Sequence, residues 1–244
     1  MRTVWAITRR ELAAYFSTPI AAVFLIIFVV LSAVFSFQVG LLFERGVADL
    51  QPFFSYLPWL FLILVPAIAM RLWAEERKSG TIELLMTLPV SAGEAVVGKW
   101  LAGTLFAGLA LVCTFGLWMT VNILGDPDNG IIFASYLGAW ALASVFLAVG
   151  ACVSAFTRNQ VVALVLSVAV CFVLMTAGLP LVLDAISGYA PAGVVSAIRS
   201  LSAMNHFTSI SSGILVMSDL VWVVSMVAFW LYANVAVISL KKAD

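Results

Sequence analysis

Few residues in this chain could do chemistry, and they fall in short stretches. His206, the single histidine, stands among Ser202, Ser209, Ser211 and Ser212. A nucleophile and its base need fixed geometry and an oxyanion hole. No nucleophile-elbow pattern or second histidine accompanies this set, so His206 reads as a hydrogen-bonding loop residue. Gly93-Glu94-Ala95-Val96-Val97-Gly98-Lys99-Trp100 carries the G-x-x-x-x-G-K core of a phosphate-binding loop. Trp100 takes the place of the Mg²⁺-binding Ser or Thr, and no strand precedes it. That stretch reads instead as a helix entering a membrane, with Lys99 at the lipid boundary. Cys113, Cys152 and Cys171 lie inside apolar runs and suggest neither a disulfide framework nor paired zinc ligands. No catalytic residue, metal site or cofactor site is expected in this chain.

What remains is a cluster of mixed sign, Glu75-Glu76-Arg77-Lys78, in a chain that otherwise avoids charge. Of its 244 residues 64% are hydrophobic and 10% charged, against about 25% charged in soluble domains. Mean hydropathy is +1.15. A soluble enzyme is excluded, and the balance of 12 basic and 12 acidic residues gives no bulk charge for nucleic acid.

Crossing about 30 Å of hydrocarbon takes roughly 20 helical residues. Stretches without Asp, Glu, Lys or Arg fill 12–43, 50–70, 100–125, 129–157, 159–183 and 220–240. They predict an all-α integral membrane protein with six spans, at about 19–43, 53–72, 98–123, 132–156, 160–183 and 219–240. Residues 1–18 mix Val4, Trp5, Ile7, Leu12, Tyr15 and Phe16 with Arg2, Arg9, Arg10 and Glu11. That mixture suits an amphipathic helix in the headgroup plane, followed by an uncleaved first span. Pro19 fits the first turn of that span.

Basic loops are retained in the cytoplasm. With the N-terminus inside, Arg2, Arg9, Arg10, Arg71, Arg77, Lys78, Lys99, Arg158, Lys241 and Lys242 are cytoplasmic, and only Arg45 and Arg199 lie outside. Both termini are then expected inside. Ion-coupled transporters place titratable groups at membrane depth, and the span centres here hold none. The energy for any transport must therefore enter from outside the membrane region.

The loop between spans two and three, residues 74–92, concentrates the charges. Gly80 breaks one helix, and a short second helix can run from Thr81 until Pro89 forbids it. Ile82, Leu85 and Met86 share one face of that helix. This is more apolar surface than a free loop exposes, and it suits either a protein pocket or the bilayer interface.

The run from Pro66 to Val90 includes Met70-Arg71-Leu72, Glu75-Glu76, Ser79-Gly80-Thr81-Ile82-Glu83-Leu84-Leu85 and Pro89. At these residues the sequence resembles the membrane subunits (permeases) of ABC transporters of the type-2 exporter family, particularly the gliding-motility GldF-like branch. The resemblance implies that 1–244 is a single transmembrane domain in a bacterial inner membrane. A second copy or a homologous permease would pair with it, and two cytoplasmic ABC ATPase subunits would bind ATP and Mg²⁺. Gly80 to Pro89 would be the coupling helix, docking through Ile82, Leu85 and Met86. Glu75, Glu76, Arg77, Thr81 and Glu83 would supply contacts around that face. Two other readings stand beside it: ATP-driven force transmission to a periplasmic or cell-surface partner without transport, and a secondary transporter or channel.

Residues 184–218 are uncharged over 200–218 but rich in Ser and other polar residues. Backbone cannot enter lipid unpaired, so this outer segment is expected to fold into short helices, from Pro191 to Leu201 and from Asn205 to Gly213. A lid on the outer mouth is the favoured role, and a docking site for a periplasmic partner the alternative.

Overall fold

The computed structural model describes residues 2–17, 19–81 and 90–240, apart from the Ile20 side chain. Among these residues there is no strand. In chain order the helices are α1 (Arg2–Phe16), α2 (Pro19–Val34, extended by a π-helical turn Phe35–Val39), α3 (Gln51–Ala69), α4 (Arg71–Ser79), α5 (Ala92–Cys113) and α6 (Phe115–Leu124). They continue with α7 (Asn129–Phe156), α8 (Gln160–Thr176), α9 (Pro180–Ser187), α10 (Ala192–Ser200), α11 (Ala203–Ser211) and α12 (Met217–Leu240).

Five helical stretches are long and apolar enough to cross a membrane: Ala21–Val39, Gln51–Ser79, Ala92–Leu124, Asn129–Phe156 and Met217–Leu240. The pair α8 and α9, which meet at a bend of 78°, has the length of a sixth crossing only when the two are taken as one broken span. The fifth charge-free run is therefore not the straight span that composition suggests. Leu179 takes an extended conformation, and Pro180 opens α9 in the first-turn position, where a missing N–H costs least. The first span also ends sooner than residue 43, at Val39. There Gly40 lies against Pro52, whose Cβ would stand 2.5 Å from any Cβ added to the glycine.

Side chains fix the helix starts. Ser91 and Glu94 form a reciprocal capping box at α5. The Asp128 carboxylate accepts from the Gly130 and Ile131 amides at α7, and the Asn159 side chain from Val161 and Val162 at α8. Each satisfies amides that a helix N-terminus leaves unpaired. At the other end of α4, Gly80 adopts φ +75°, a left-handed conformation open to glycine at no steric cost.

The bundle is built around α7. It packs against α3, α4, α5, α8, α11 and α12, and from Ser144 to Ala155 every residue is buried. Lipid offers no hydrophobic drive between helices, so close packing and hydrogen bonds must hold them. Both operate here. Trp100 on α5 donates its indole N–H to the Ser144 carbonyl on α7, and Trp140 on α7 donates to the Thr104 carbonyl on α5. On the other side of α7, Gly150 lies so close to Ala69 of α3 that an added Cβ would overlap the alanine methyl.

Gly150→Val should therefore destabilise the protein by about 1–3 kcal/mol, the range for overpacked cores, read as a lowered melting temperature in detergent. Gly193→Val on α10, where an added Cβ meets nothing within 4 Å, should leave it unchanged.

Candidate functional site at the loop end of the bundle

The end of the bundle that carries the loop after α3 is organised by one buried cation. Lys99 sits two turns into α5 and is 1% exposed. An ammonium removed from water needs partners that offset the lost hydration. Its Nζ lies 2.8 Å from Glu76 Oε1 on α4 and 3.2 Å from Glu11 Oε1 on α1, and 5.0 Å from the centre of the Trp73 ring. Arg10 adds a second cation, 2.6 Å from the same Glu11 oxygen and 3.9 Å from Glu76. Three elements distant in sequence thus meet at one nitrogen.

Each element is held in place by its own contacts. Helix α1 packs along α5, where Thr8 donates to the Gly98 carbonyl at 3.1 Å. An added Cβ on Gly98 would come within 2.8 Å of the Ile7 side chain, so the absence of a side chain is what lets α1 lie so near. Tyr15 stacks on Phe106 of α5 at 5.2 Å between centroids, and burial pushes its hydroxyl pKa up.

Helix α4 is fastened to α7. The Ser154 hydroxyl accepts from the Trp73 and Ala74 amides, at 2.9 and 3.2 Å, and lies 3.3 Å from the Met70 carbonyl, to which it can donate. Those amides stand at the break between α3 and α4, where backbone groups lack helical partners. One turn further on, the Arg77 guanidinium donates to the Ala155 carbonyl in the last turn of α7, where a cation also meets the favourable end of the helix dipole. Arg71 and Glu75 pair along α4 at 2.8 Å.

Between α1, α4 and α5 lies a cleft of about 380 Å³, bordered by Glu11, Tyr15, Arg71, Glu75, Glu76 and Lys99. Glu76 Oε2 is buried beside it without a hydrogen-bond partner among the described residues. The cleft's exit is marked by Ser79 and Thr81, whose hydroxyls are 2.9 Å apart.

Of the residues expected to contact an ATPase, Glu75, Glu76, Arg77, Gly80 and Thr81 therefore gather at this end of the bundle. Ile82, Glu83, Leu85, Met86 and Pro89 lie outside the described residues. Glu76 and Arg77 also have partners within the chain, Lys99 and the Ala155 carbonyl. One expectation needs correction. Lys99 is not a boundary cation in the headgroups but a buried centre. Residues 92–99 form the regular helix read there in place of a phosphate-binding loop, and the inner amides serve the helix itself.

No local signal in the sequence marks Lys99 as a junction, because its partners Glu11 and Glu76 lie on other helices.

The Glu11 carboxyl reports the balance of forces. Burial alone pushes its pKa up, but the charge of Lys99 and the hydrogen bond and charge of Arg10 outweigh that and hold it below its ordinary 4.5. A depressed carboxylate stabilises the fold above its unfolded value and loses that contribution as pH falls through the folded one. Docking of α1 should therefore be insensitive to pH above about 4.5 and weaken below it, and Glu11→Gln should remove that acid dependence. Lys99→Met, which leaves Arg10 as the remaining cation beside Glu11 and Glu76, should cost up to about 3 kcal/mol. Both effects are measured by thermal melting and by hydrogen exchange of peptides covering α1.

Comparison with known proteins agrees with this architecture. The family model described as ABC-2 family transporter protein matches residues 51–240. Over 75 residues the chain is 32% identical to an uncharacterized transmembrane protein, YxlG, of Bacillus subtilis (strain 168). That alignment covers 30% of this chain and 29% of the relative, so the chain spans less than a third of its length. The family match takes in Glu76 and Lys99 but not Glu11 or the rest of α1.

Proposed function

The chain belongs to the ABC-2 family of transporter membrane proteins, and from that premise we propose that it is the permease subunit of an ATP-driven exporter in a bacterial inner membrane. Two cytoplasmic ABC ATPase subunits would bind and hydrolyse ATP with Mg²⁺. Their closing motion would reach the membrane through the loop after α4. A second copy of this chain or a homologous permease would complete the translocation unit. The GldF-like branch is the subgroup we favour, on the residues from Pro66 to Val90.

The observation that carries this reading is the Lys99 junction. A loop that receives force must be fastened to what it moves, and α4 is fastened three ways: to α5 through Glu76 and Lys99, to α1 through the same charges, and to α7 through Ser154 and Arg77. Displacing the loop would move α1 and two central spans together. Lack of any charged side chain on α2, α3, α6, α7 or α8 supports an energy source outside the membrane over an ion-coupled carrier.

Orientation follows from the same end. Arg10, Arg71, Arg77 and Lys99 all converge there, and a basic face belongs in the cytoplasm. The outer segment, α9 to α11, then faces the periplasm. Reporter fusions at Ser79 should read inside and those after Asp128 outside; the opposite result would reverse the proposed direction of coupling.

The purified chain alone should hydrolyse no ATP, and hydrolysis should appear on adding its partner ABC ATPase subunit. Leu85→Asp or Met86→Asp should abolish retention of that subunit in a pull-down, whereas Lys99→Met should keep the subunit bound but uncouple its turnover from the membrane domain. Retention by both loop variants would refute docking through this face.

A further inference from the structure

At the far end of the bundle a second pair of ionisable side chains joins two elements. His206 on α11 places Nδ1 2.7 Å from Asp219 Oδ1, in the first turn of α12. Its other nitrogen, Nε2, lies 3.0 Å from the Ser200 carbonyl. The imidazole stacks on Trp222, with centroids 4.7 Å apart and an interplanar angle of 22°. Asp219 is buried, and its second oxygen, Oδ2, has no partner among the described residues.

This geometry counts protons. A carbonyl oxygen only accepts, so Nε2 must carry hydrogen. An ionised carboxylate also only accepts, so the 2.7 Å contact at Nδ1 requires a second proton, whether it rests on the ring or on Asp219. Without that proton the neutral ring can serve one neighbour only. Either its Nδ1 lone pair faces the carboxylate, or the proton moves to Nδ1 and the lone pair faces Ser200.

No other charge is placed to substitute. Helix α11 packs against α3, α7, α8 and α12, and Asp219 is the single charged residue on those four helices. Their other titratable groups are Tyr56, Tyr136, Cys152, Cys171 and Tyr232. Arg199 and Asp184 lie on the neighbouring α10 and α9. Asp49 and Asp128 border a cleft beside Ser211 and Ser212, more than a turn along α11 from the imidazole.

The helix so held is tightly seated. Ser202, at its N-cap, is buried with its hydroxyl 3.4 Å from the Met175 carbonyl, and Ser135 donates to the Ser211 carbonyl at 3.2 Å. Gly178 lies so near that a Cβ there would come within 2.5 Å of Ser202. By contrast α10, just before it, has no buried residue. What fastens α11 therefore also holds α10, which has no buried residue of its own.

We propose that His206 and Asp219 form a latch that takes up one proton as it closes, holding α11 and α10 against the outer ends of the spans and releasing them as pH rises. The closed state binds one proton more than the open one, so closure is favoured at low pH and lost as pH increases. The inference rests on these contacts alone and is independent of the transport reading.

Hydrogen exchange of peptides covering 203–212, in the whole protein in lipid nanodiscs, tests it. Protection is expressed relative to the unstructured rate at each pH, between about pH 5 and pH 9, which brackets the ordinary histidine range near 6.5. Wild-type protection should fall roughly ten-fold across that interval, the factor expected for one charge-assisted hydrogen bond. His206→Gln should be flat with pH. So should Asp219→Asn, because an amide offers a donor to the neutral ring and an acceptor to the charged one, and this variant keeps the shape of the site if the first fails to fold. A flat wild-type profile, or a slope that persists in either folded variant, would overturn the latch.

Discussion

A buried ammonium in an apolar bundle has to be answered by anions, and the loop face of this protein is arranged around that requirement. Lys99 is supplied by α5, its carboxylates by α1 and α4. The charge cannot be left unpaired without a penalty of several kcal/mol, so the three elements are bound to one geometry. The contacts of α4 with Ser154 and the Ala155 carbonyl extend the same constraint to α7. The loop after α4 is thereby anchored to the membrane domain through polar bonds rather than through apolar contact that could slip.

The membrane interior follows the opposite rule. Along α7 no charge is present, and adhesion comes from close approach and from indole N–H groups paired with backbone carbonyls. Gly150 against Ala69 and the crossed Trp100 and Trp140 bonds are the two devices. Such contacts are short-ranged and directional, so neighbouring helices keep their register. Exposed apolar side chains on α2 and α12, such as Ile26, Val30, Val224 and Phe229, are what lipid or a second membrane subunit would cover.

Much of this architecture was legible from local sequence. Absence of charge located the spans, and the loop's excess of charge located the candidate site, because both depend only on transfer of side chains into hydrocarbon. Gly80 announced the end of α4, and the short helices of the outer segment fell within a residue or two of those expected from Pro191 and Asn205. The bend between α8 and α9 was hidden, since Gly178 and Pro180 sit in a run with no charge to interrupt it. Lys99 and His206 were read as a boundary cation and a loop histidine for a common reason. Their roles are fixed by partners 13 to 88 residues away, and spacing along a helix carries no information about contacts of that range.

The Lys99 and His206 junctions stand at opposite ends of a core in which no described side chain between them is charged. Any coupling from one to the other must be mechanical. Helices α3, α7 and α8 each touch α4 at the loop end and α11 at the far end, so these three are the bodies through which displacement of the loop would reach the outer segment. They are close-packed and uncharged, and a packed interior shifts between discrete arrangements rather than deforming smoothly. The ends differ in kind. At the loop end two cations and two carboxylates share the load, and the carboxylate of Glu11 is held ionised down to acidic pH. At the far end a single imidazole–carboxylate contact joins α11 to α12.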